Sequence, residues 1–82
     1  MGQINVNLKY FAMLRETVGV ECEELITSAA TARELYNDLK KSKGFSLNET
    51  QLRVAVNGEF AALDDTLSEG DEITFIPPVS GG

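Results

Sequence analysis

The chain has no histidine, a single cysteine, and only seven basic residues against thirteen acidic ones among its 82 positions. Without histidine, zinc sites and base-assisted nucleophiles lose their commonest participant, so a self-contained catalytic centre is not expected. The lone Cys22 forms no internal disulfide, which fits a reducing cytoplasm. Glu21, Glu23 and Glu24 surround it, and nothing near it in sequence favours the thiolate, so it reads as an inert thiol. The net charge of −6 lacks the basic face that nucleic acid needs, and it allows steering toward a basic partner. No apolar run approaches ~18 residues and no basic segment leads into an apolar one, so neither a membrane span nor a secretory signal is expected. Met1-Gly2 is not followed by a myristoylation signal, because Val6 stands where Ser or Thr is needed. There are no repeats, low-complexity tracts or linkers. One domain over residues 1–82 follows, burying roughly 60% of its unfolded surface.

What is present alternates. Ile4, Val6, Leu8 and Tyr10 interleave with Asn5, Asn7 and Lys9, which predicts a strand with one buried face. Phe11, Leu14 and Val18 then fall at helical spacing, predicting a short helix that stops at Gly19. Residues 22–26 predict a second strand, acidic and therefore placed at a sheet edge. Thr31-Ala32-Arg33-Glu34 matches a capping box and opens the main helix, whose apolar stripe is Ala32, Leu35, Tyr36 and Leu39. Lys40, Lys41 and Lys43 suit the dipole at its C-terminal end, and Gly44 supplies the stop. The stretch 42–51 carries no motif. Leu52 to Val56, the Asn57-Gly58 turn and residues 59–62 predict a hairpin, and residues 72–76 a last strand. Between them, the acidic run Asp64 to Glu72 fails as a calcium loop. With Gly70 in the glycine position, Leu67 and Ile76 fall where oxygen ligands are required. Strand, strand, helix and three strands make an α+β layer, a mixed sheet of about five strands covered by one main helix. A β-grasp satisfies that order, as do other small α+β sheets.

The end of the chain, Phe75-Ile76-Pro77-Pro78-Val79-Ser80-Gly81-Gly82, carries the strongest signal. Two glycines make the thinnest backbone available, able to thread a channel and present an unhindered carboxylate. The two prolines end a strand and push the chain off the body, so residues 76–82 are expected to form a flexible, extended functional tail. An apolar docking patch is expected beside it, with Phe11, Phe60, Ile76 and Val79 as candidates.

The chain resembles the MoaD/ThiS-type sulfur carriers, a ubiquitin-like β-grasp family, over essentially its whole length, and within that family the molybdopterin synthase small subunits. The resemblance rests on Phe11-Ala12-Met13-Leu14-Arg15-Glu16, Val54-Ala55-Val56-Asn57-Gly58, Gly70-Asp71-Glu72-Ile73 and above all the terminal Pro-Pro-Val-Ser-Gly-Gly. It implies that Gly82 is adenylated by a ubiquitin-activating-type adenylyltransferase using ATP, then converted to a thiocarboxylate. The sulfur then passes to cyclic pyranopterin monophosphate on a large subunit, two transfers completing one molybdopterin. Gly81 threads the tail, and Pro77, Pro78, Val79 and Ser80 lie along the partner, which forms a heterotetramer with the carrier. The carrier binds no cofactor or metal and is not catalytic alone. Two other uses of the same terminus stay open: a ubiquitin-like modifier joined through Gly82 to target lysines, and a carrier of another pathway such as thiamine synthesis.

Overall fold

The structure is a computed structural model and describes residues 2–78. Its first strand, β1 (Ile4–Tyr10), buries Val6, Leu8 and Tyr10 almost completely while Asn5 and Asn7 face solvent, as the alternation predicts. The helix α1 (Ala12–Val18) follows, and β2 (Cys22–Thr27) returns antiparallel to β1. The main helix α2 (Ala32–Lys43) crosses the sheet, and a 3-10 turn (Glu49–Gln51) leads into β3 (Arg53–Val56) and β4 (Glu59–Ala61). The last strand, β5 (Glu72–Ile76), enters the middle of the sheet, parallel to β1 and antiparallel to β3, in the order β2-β1-β5-β3-β4. The sheet is thus mixed and β2 stands at an edge, both as expected.

The helix lies on one face of the sheet. Ala32, Leu35, Tyr36 and Leu39 are all buried and meet Val6, Leu8, Val54, Ile73 and Phe75 in a single core. Tyr36 stacks on Phe45 at 5.7 Å between ring centres and tilts against Phe75 at 5.3 Å, while its hydroxyl donates to the Leu47 carbonyl at 2.8 Å. Offset and tilted rings suit the aromatic quadrupole, and a bonded hydroxyl removes the cost of burying it.

Several local expectations change. Phe11 is the extended residue ahead of α1, 48% exposed, so only Leu14 of the supposed apolar stripe is fully buried. At α2 the Thr31 hydroxyl accepts from the Glu34 N–H at 3.2 Å, but the Glu34 carboxylate accepts from Ala30, one residue before the cap. The complete capping box is elsewhere, at Asn48 and Gln51, inside the stretch that carried no recognised motif. That stretch also supplies Phe45 to the core. β2 runs one residue further than expected because Thr27 is buried, its hydroxyl accepting from the Ala29 N–H at 3.0 Å. β4 stops one residue short, where the Asp65 carboxylate accepts the Ala62 N–H at 3.1 Å.

Candidate functional site

The site is assembled around β5. Gly70-Asp71-Glu72 clamps the start of this strand to both neighbours. The Gly70 N–H donates to the Asn5 carbonyl at 2.7 Å, and Asn7 N–H donates to the Asp71 carbonyl at 2.9 Å. On the other side Asn57 N–H donates to the Glu72 carbonyl at 2.8 Å, while the Asn57 side chain donates to Asp71 and accepts from the Glu72 N–H, each at 3.0 Å. Asn57 and Gly58 have φ of 55° and 86°, the pair of left-handed conformations of a type I′ hairpin. Two sequence segments noted separately are therefore one joint. It sets the register of the strand that leads to the C-terminus.

At the far end β5 delivers Ile76, Pro77 and Pro78. Ile73 and Phe75 are fully buried beneath the helix, and Thr74, on the outer face, is nearly buried between β1 and β3. Ile76 is half-buried as the last residue of the strand, and Pro77 is buried. The expected tail from residue 76 therefore starts later: the body holds the chain through Pro77, and Pro78 is exposed. Val79, Ser80, Gly81 and Gly82 lie outside the described residues.

Beside this exit, Gln51, Arg53, Phe60, Ile76, Pro77 and Pro78 line an open groove of about 360 Å³. Phe60 is 69% exposed, and the Arg53 guanidinium carbon lies 5.7 Å from the centre of its ring. The structure thus brings Phe60, Ile76, Pro77 and Pro78 together. It does not place Phe11 among the groove's lining residues; Phe11 is exposed at the β1–α1 junction. Arg53 and Gln51 were missed by sequence reasoning. The signal for Arg53 was its alternation with Val54 in a short strand, which puts it on the outer face, opposite Ile76.

Other ionisable groups tie elements of the fold together. Arg33 pairs with Glu49 and with Asp64, the latter at 2.7 Å, and the guanidinium holds the Asp64 carboxyl below the usual carboxylate range. Tyr10 donates to the Glu23 carboxylate at 2.5 Å, and Lys43 meets the same carboxylate at 3.6 Å. Burial first, and then Glu23, push the Tyr10 phenol well above its ordinary value. Cys22 is exposed opposite Lys9. Among the described residues no cluster of three or more His, Cys, Asp or Glu is placed to hold a metal ion, and no helix is long and apolar enough to cross a membrane.

A five-stranded mixed sheet clasping one main helix, with a central strand leading to the C-terminus, defines a ubiquitin-like β-grasp protein. The chain belongs to the ThiS family, which it matches over residues 8–82. It is 37% identical to the molybdopterin synthase sulfur carrier subunit of Haemophilus influenzae, over 94% of this chain and 99% of that one. Among solved structures it resembles the small archaeal modifier protein 1 of Haloferax volcanii, with a TM-score of 0.75 and 27% identity over 93% of this chain and 99% of that one. It also resembles a chain in the complex of subunits 1 and 2 of the molybdopterin-converting factor from Helicobacter pylori. There the TM-score is 0.63 and the identity 26%, over 96% of this chain and 100% of that one. The chain is a MoaD/ThiS-type sulfur carrier.

Proposed function

We propose that the chain is the small subunit of a molybdopterin synthase, carrying sulfur as a thiocarboxylate on Gly82. The observation that carries this reading is the central strand β5, pinned at its start to both neighbours and leading through Ile76 and Pro77 toward Gly81-Gly82. The similarity to sulfur carrier subunits of that synthase supports it.

A carboxylate is a poor electrophile, because its charge repels nucleophiles and oxygen leaves badly. An ATP-using adenylyltransferase converts it to an acyl-adenylate; the sulfur donor then displaces AMP and leaves the thiocarboxylate. Stabilising such a transition state needs a pocket of cations and backbone donors, which the activating enzyme and not this chain supplies. The carrier then inserts its tail into a large subunit, and the sulfur passes to cyclic pyranopterin monophosphate. Phe60, Ile76, Pro77 and Pro78 dock the body while Val79, Ser80 and Gly81 reach through, with Phe11 as a second contact. The assembly is a heterotetramer in the cytoplasm, where the exposed Cys22 stays reduced. The carrier itself holds no cofactor.

Co-expression with the activating enzyme and a sulfur donor, followed by intact-protein mass spectrometry, tests the reading. A mass gain of one sulfur-for-oxygen exchange is expected. Gly82→Val abolishes it and Gly81→Ala slows it, with the circular dichroism spectrum unchanged. Full sulfur loading of the valine variant refutes the account. The likeness to an archaeal modifier protein favours a second reading, conjugation through Gly82 to lysines of other proteins. Ladders of conjugates in place of the mass gain are its signature.

A further inference from the structure

The groove beside β5 contains a charge with no ion-pair partner among the described residues. Arg53 stands opposite Ile76 on β5, and Phe60, opposite Ala55, is its diagonal neighbour across the hairpin. These neighbours are all apolar. Arg53 forms no ion pair with any described residue, although acidic residues outnumber basic ones thirteen to seven. The first carboxylate back along the outer face of β5, Glu72, is four residues away, about 13 Å in a strand. The guanidinium carbon lies 5.7 Å from the centre of the exposed Phe60 ring, within cation–π range. An exposed guanidinium with no ion pair among the described residues has its N–H fork available to a carboxylate, which it takes through two parallel bonds.

Resting on the sulfur-carrier reading, we infer that Arg53 and Phe60 form a two-part anchor for the protein that receives the tail. That partner presents an apolar pocket for the ring and, beside it, an aspartate or glutamate that meets Arg53. Docking removes water from the whole groove, so a partner lacking the carboxylate would strand a buried charge. The pair therefore selects partners as well as holding them. The net charge of −6 favours a basic partner overall, so the carboxylate that meets Arg53 is a local group within the partner's docking surface. A second copy of this chain is a poor occupant. Two-fold pairing of this face would bring two Arg53 side chains and two net charges of −6 together.

The test measures binding of the full-length chain to the molybdopterin synthase large subunit of the same organism, by calorimetry at low and high sodium chloride. Wild type binds, and its affinity falls with salt. Arg53→Leu weakens binding by at least ~30-fold, Arg53→Glu by more, and Arg53→Lys, which keeps the charge but loses the two-pronged fork, by roughly 5- to 10-fold. The salt dependence shrinks in the leucine variant, a change that loss of packing alone does not produce. Thermal melts of the variants match wild type, since Arg53 is exposed. Arg53→Glu binding as tightly as wild type overturns the anchor and leaves the sulfur-carrier reading intact. Wild type failing to bind the large subunit overturns that reading and the anchor with it. A wild-type dimer in sedimentation that Arg53→Glu dissolves overturns the choice of occupant.

Discussion

Tyr10 shows how a single side chain joins three elements. Its ring is buried between the sheet and Phe45, 6.3 Å away, and its hydroxyl donates to Glu23 on β2, which also meets Lys43 at the end of α2. Removing the hydroxyl leaves Glu23 with one partner fewer, so Tyr10→Phe costs about 1 kcal/mol at neutral pH. The same bond makes stability depend on alkaline pH. The folded phenol holds its proton above the ordinary Tyr value, because of burial first and Glu23 second. Between the unfolded value near ~10 and the folded one, the native state therefore binds more protons than the unfolded chain. Stability from this group is complete below pH ~10 and falls as pH rises past it, by up to ~1.4 kcal/mol per pH unit. Tyr36, raised by burial, adds a decline of the same sign. Urea unfolding at pH 8 and pH 11 should show the wild type losing more than Tyr10→Phe; equal losses would remove Tyr10 from the explanation.

At the scale of elements, the main helix was the most legible part of the sequence. Its stripe of Ala32, Leu35, Tyr36 and Leu39 is the buried face, and Gly44 closes it in the left-handed conformation at φ 78° with its N–H on the Lys40 carbonyl. Thr31→Ala removes the hydroxyl that accepts the Glu34 N–H. The expected cost is about 1 kcal/mol, or a fall of roughly 4–8 °C in the melting temperature of a domain this size. Glu34→Ala should cost less, because its carboxylate reaches the exposed Ala30 N–H. Illegible parts share a physical cause: their signals came from tertiary neighbours. Phe11 fits a helical period by spacing, yet it is extended and the chain turns at Ala12, the first residue of α1, with φ 50°, which leaves Phe11 outside the helix. Phe45 has no periodic companions, and what buries it is the stacking on Tyr36 and the edge contact with Tyr10. Of the residues that line the groove, Phe60, Ile76, Pro77 and Pro78 stood out singly in the sequence as large apolar residues and prolines. Arg53 did not, since its meaning depends on having Ile76 and Phe60 as neighbours across two strand pairings.

For the whole molecule, the core and the proposed docking groove lie on opposite faces of one sheet. Leu35, fully buried, and Phe60, 69% exposed, are both large apolar residues in a chain with little core to spare. Leu35→Ala removes atoms from the centre of the helix–sheet interface and leaves a cavity, costing about 2–5 kcal/mol. Phe60→Ala removes a ring from solvent and from one guanidinium, so it should shift stability by less than ~0.5 kcal/mol. Binding to a large subunit reverses the ranking. Phe60→Ala should weaken it by about tenfold or more, as truncation of an aromatic anchor does, while Leu35→Ala measured well below its melting temperature should leave the affinity close to wild type. Chemical denaturation and calorimetry on the same two variants decide the matter. If Phe60→Ala unfolds the protein as readily as Leu35→Ala, the outer face belongs to the core. If neither variant changes the affinity, the sheet docks through some surface other than the groove beside β5.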